Sequence, residues 1–74
     1  MDWDTIERLL RQVRQKLPLF HGARGPLNQA INAAGKHEEV LIAGLIRRAI
    51  NGLGDDPDPE LLIKLRTALE EAEA

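Results

Sequence analysis

The stretch HEEVLIAGLIRRAINGL, from His37 to Leu53, decides the fold. Its apolar residues Ile42, Leu45, Ile46, Ala49, Ile50 and Leu53 recur at the three-and-four spacing of an α-helix, not the alternation of a strand. They fill a broad arc, and the wedge left over holds Gly44, Arg47, Arg48 and Asn51. Val40 falls inside that wedge in projection, and Leu41 lies off the centre of the arc. A helix with so wide an apolar face needs neighbours on more than one side. Asn51-Gly52-Leu53-Gly54 stops it. The expected fold is all-α: a compact four-helix bundle with a short second helix, gathered around this third one.

Working outward, the first helix is expected over about 3–17. Trp3, Ile6, Leu10, Val13 and Leu17 form a single stripe, with Leu9 at its flank. Asp4 and Glu7 can form a capping pair, and Asp2 is an alternative cap. Pro18 ends the helix by blocking the next turn and forcing residue 17 out of helical geometry. Residues 18–25 read as an irregular segment whose Leu19 and Phe20 turn inward to plug the end of the bundle. The second helix is expected over 26–34, opened by Pro26 and closed by Gly35. Leu27, Ala30, Ile31 and Ala34 share its inner face. The third helix covers 37–53. The fourth covers 59–72, with Asp58 as cap, Pro59 first in the helix and Glu60 favourable to the dipole. Leu61, Leu62, Leu65, Ala68, Leu69 and Ala72 face inward, and Ile63 points the opposite way. The acidic end, Glu70 to Ala74, is expected to fray, because acids there oppose the dipole.

Seventy-four residues make a single domain, 1–74. There is no Cys, Ser or Tyr and only two Thr, so disulfides, thiolate metal sites and Cys or Ser nucleophiles are excluded. No apolar run approaches the ~18 residues of a membrane span. The acidic start MDWDTIE does not read as a signal peptide. A soluble, cytoplasmic protein without membrane contact is expected. Net charge is −2 but uneven: residues 1–54 carry eight Lys or Arg against five acids, and residues 55–74 carry two against seven.

The chemistry-bearing residues form no catalytic set. His21 and His37, with Glu38 and Glu39 beside the latter, lack the spacing of metal ligands. Asp55 to Glu60 alternates acids like the start of a calcium loop, but two prolines interrupt it and the required glycine and distal Glu are missing. Gly22-Ala23-Arg24-Gly25 before a helix could hold an anion, yet matches no phosphate-binding pattern. A bundle of this size has little room for a sizeable pocket. No enzyme activity, metal or other cofactor is expected.

Two surfaces stand out. Val40, Leu41, Ile63 and Leu9 are the apolar residues left outside the core stripes, and any of them that share a patch would dock a protein partner or a second copy, as in a homodimer. The outer side of the first helix carries Arg8, Arg11, Arg14 and Gln15, an alternative nucleic-acid face without the aromatics that stack bases. A helix-turn-helix built from helices two and three fails, because Glu38 and Glu39 open the would-be reading helix and repel phosphate. Nucleic acid is therefore the lesser expectation.

The start Asp58-Pro59-Glu60-Leu61-Leu62, the Gly35 stop and the clean apolar stripes resemble computationally designed helical bundles. The resemblance covers the first and fourth helices best. The 18–25 segment, Gly44, Asn51-Gly52 and seven Arg against three Lys depart from it and look like a natural Ala- and Arg-rich bacterial chain.

Overall fold

The computed structural model describes residues 1–54 and 58–74. Four helices form: α1 over Trp3–Lys16, α2 over Arg24–Gly35, α3 over Glu39–Leu53 and α4 over Pro59–Glu73. Neighbouring pairs are α1–α2, α2–α3, α3–α4 and α4–α1. The helices thus stand at the corners of a square, with α1 and α3 on one diagonal. The third helix is therefore one corner among four, not the hub. Its wide arc is satisfied by α2 on one side and α4 on the other. The chain folds as an all-α four-helix bundle.

The ends of the helices explain the arrangement. Asp2, not Asp4, caps α1: its carboxylate accepts from the Thr5 N–H at 3.2 Å and from the Thr5 hydroxyl at 2.7 Å. The same bonds, the hydroxyl foremost, hold the Asp2 carboxyl below its ordinary pKa. Thr5 offers two donors to one carboxylate, so the helix starts early enough to bring Trp3 against the core. At the other end Leu17 is extended (ψ 138), as a residue before proline must be. The Arg14 carbonyl, which also accepts the Leu17 N–H, and the Leu17 carbonyl accept from the guanidinium of Arg24 at 3.3 and 3.2 Å.

Residues 18–25 do not plug the bundle. The His21 N–H donates to the Pro18 carbonyl at 3.1 Å, closing a turn with Leu19 and Phe20 at its centre. Both point to solvent, Phe20 with 99% of its surface exposed. The residue of this segment nearest α2 that turns inward is Ala23, which is fully buried. A Cβ added to Gly52 would lie 2.7 Å from the Ala23 Cα. Only glycine permits this approach of α3 to the start of α2. That start comes at Arg24, two residues before Pro26. Proline is tolerated in the first turn because its missing N–H would have no partner within the helix.

Gly35 is the last residue of α2 but not its left-handed cap: the left-handed residue is His37, at φ 54. The Glu38 N–H donates to the Ala33 carbonyl at 2.9 Å and the His37 N–H to that of Ala34 at 3.2 Å. This is a Schellman closure with histidine where glycine is usual. A left-handed non-glycine residue costs about 1–2 kcal/mol. The His37 ring stacks on Trp3, centroids 4.9 Å apart and planes 5° from parallel, and ring stacking returns about 0.5–1.5 kcal/mol. The two nearly cancel, and α3 starts at Glu39 instead of His37.

The core is wholly apolar among the described residues. Ile6, Leu10 and Val13 of α1, Leu61, Leu65 and Ala68 of α4, and Ile42, Ile46 and Ala49 of α3 belong to one buried cluster. α2 contributes mostly small side chains, Ala30, Ala33 and Ala34 beside Leu27 and Ile31. The end of α4 is held: it stays helical to Glu73, whose carboxylate pairs with Arg47 of α3. That interhelical bond replaces the fraying expected from the acidic tail. No helix among the described residues is long and apolar enough to cross a membrane.

Candidate functional site

The residues singled out by sequence separate into three groups. Leu9 packs against the core. Ile63 is exposed on α4 and stands apart from the groove described next. Val40 and Leu41 come together. Val40 is 93% exposed and Leu41 52%. With Gly44, Leu45 and Arg48 they line one shallow recess on α3. Leu41, Leu45 and Arg48 continue into a larger groove between α2 and α3, of about 350 Å³. Its α2 wall is Gln29, Asn32, Ala33 and Lys36, and Glu38 lies at the turn end. A bundle this small was expected to have little room for such a volume. The room comes from the outside of the seam, because the small side chains of α2 leave the wall facing Leu41 and Leu45 unfilled.

The seam tapers. At one end Gly52 and Ala23 bring the backbones almost into contact. Toward the other end the bulkier Leu45 and Leu41 stand against Ala33 and open the groove. Leu45, Arg48, Lys36 and the two amides were missed as site residues by sequence reasoning. Their grouping depends on which helix faces α3, which no single-helix pattern contains.

The basic face of α1 is partly spent. Arg11 is bound to Glu7 at 3.0 Å, and Arg14 donates to Asn28 of α2 at 3.3 Å. Arg8 and Gln15 remain exposed. The two histidines lie at opposite ends of α2. His21 accepts from the Ala23 N–H through Nδ1 at 3.1 Å, and His37 is stacked on Trp3. Arg24, which could have held an anion, is turned onto backbone carbonyls. Of the acidic run, residues 55–57 lie outside the described residues. Asp58 caps α4 through the Glu60 N–H at 3.0 Å, and Glu60 pairs with Lys16 at 3.2 Å. The Lys16 hydrogen bond and charge, with Lys64 adding to them, lower the Glu60 pKa. Among the described residues no three His, Cys, Asp or Glu side chains gather as a metal site needs.

Comparison with protein-family models, curated proteins and solved structures found no match. The functional reading therefore rests on the geometry of the chain itself.

Proposed function

We propose that this chain is a non-enzymatic helical interaction module that docks a protein partner, or a copy of itself, in the groove between α2 and α3. One observation carries the reading: Val40 and Leu41 stand exposed together on α3, on a recess that runs into a groove with Ala33 and Leu45 in its walls. An apolar patch in a concave seam, rimmed by polar residues, is the form in which burial by a partner gives most. The separation of the histidines and the capping use of Asp58 support a role without chemistry. The absence of cysteine favours a cytoplasmic setting.

The test is shift mapping on the ¹⁵N-labelled chain with an uncharged amphipathic helical peptide, Leu on one face and Gln elsewhere. Amides of Ala33, Leu41, Leu45 and Arg48 are expected to move first. Val40→Gln with Leu41→Gln is expected to abolish the response while the helical circular dichroism stays unchanged. Shifts spread evenly over the four helices, or a double variant that binds like the parent, would refute the reading.

A further inference from the structure

Among the described residues four cations pair with carboxylates: Arg11 has Glu7, Arg47 has Glu73, and Lys16 and Lys64 share Glu60. Lys36 and Arg48 do not. Both line the α2–α3 groove, on opposite walls, and among the described residues neither holds an ion pair. Leu41 and Leu45 lie one turn apart between them. The remaining charge on the lining, Glu38, sits at the start of α3, where unbonded backbone N–H groups already offset a carboxylate. The acidic α4 belongs to the opposite edge of the square from the groove.

We propose that the occupant of the groove is an acidic amphipathic helix of a partner protein. Its two apolar anchors, a turn apart, sit against Leu41, Leu45 and Ala33, and its flanking Asp or Glu side chains meet Lys36 and Arg48. The inference rests on the docking function proposed above and names its partner class. Leu41 to Arg48 spans two helical turns, about 10 Å, which matches a helix laid along the groove with anchors at i and i+3 or i+4. A second copy fits less well. Among the described residues, α1 presents no large exposed apolar side chain and α4 only Ile63, so neither offers two apolar anchors a turn apart.

Three peptides of equal length and identical Leu spacing decide the matter, with Glu, Gln or Lys flanking the Leu stripe. Affinity is read by titration calorimetry, and the mass of the complex by sedimentation. The Glu peptide is expected to bind about tenfold more tightly than the Gln peptide, an advantage that shrinks as salt is raised. Lys36→Glu with Arg48→Glu alters two exposed side chains, keeps the helical signal, and is expected to transfer the preference to the Lys peptide. Equal binding of the Glu and Gln peptides overturns the acidic partner and leaves the docking function standing. No groove binding by any peptide overturns both. A chain that dimerises through Leu41 and excludes the peptides makes a second copy the occupant, and overturns this proposal as well.

Discussion

The α1–α4 edge and the α2–α3 edge lie across the bundle from each other and are finished differently. Along the first, Lys16 reaches Glu60 at 3.2 Å and Lys64 reaches Gln12 at 2.8 Å, so polar ends close over the packed Leu10, Leu61 and Leu65. Along the second, the helices touch at Gly52 and Ala23 and then part, leaving Leu41 half exposed and Lys36 and Arg48 without ion-pair partners among the described residues. Both edges draw on the same kind of core. What differs is the outer row of side chains: one edge has bound its charges internally, and the other has charges and apolar surface still to satisfy.

The sharpest way to break this contrast is to empty the closed edge. Leu65→Ala removes a fully buried side chain of α4 and is expected to cost about 2–5 kcal/mol in urea unfolding. In a chain this small such a loss leaves little folded population at body temperature. Next comes the pinch point of the open edge. Gly52→Ala gains helix propensity of about 1 kcal/mol but presses a methyl onto the Ala23 backbone, and is expected to lower stability by about 1–2 kcal/mol net. A rise in melting temperature would show that the seam can widen freely there.

Charge provides a smaller test. The Glu60 carboxyl has its pKa lowered by Lys16, so the folded state binds its proton less readily than the unfolded chain does. Its contribution is complete at neutral pH and is lost as pH falls through the carboxylate range. Glu60→Gln is expected to reduce the drop in melting temperature between neutral and acidic buffer, and to reduce its sensitivity to salt. Smallest of all, Val40→Gln with Leu41→Gln is expected to leave stability within about 0.5 kcal/mol of the parent. A large loss would mean that these residues hold the bundle together and are not free to bind.

How far the sequence revealed this depends on the range of the interaction. The stripe Ile6, Leu10, Val13 and Leu17 was legible because helical period alone places it, and so were the Asp58–Pro59 start and the outward Val40, Leu41 and Ile63. Leu19 and Phe20 were not. Their apolar character argues for burial, but a turn closed by the Pro18 carbonyl aims them outward, and Ala23 is buried instead. The left-handed residue that closes α2 was misplaced for a similar reason. Gly35 is the residue that local preference selects, whereas the Trp3 ring, 34 positions from His37, makes the left-handed turn tolerable two residues later. Arg24 as the cap of another helix's carbonyls, and Lys36 beside Arg48, likewise arise only when helices meet.

The Trp3–His37 stack also has an optical consequence. Trp3 is the only tryptophan of the chain, and its ring lies on the residue that joins Lys36 to Glu38, both on the groove lining. Its emission colour and lifetime therefore report on the turn at the mouth of the groove, with no added dye. Imidazole contact quenches indole, so any event that shifts this turn changes brightness before the helical signal changes. The chain carries its own fluorescent gauge of whether the groove is filled.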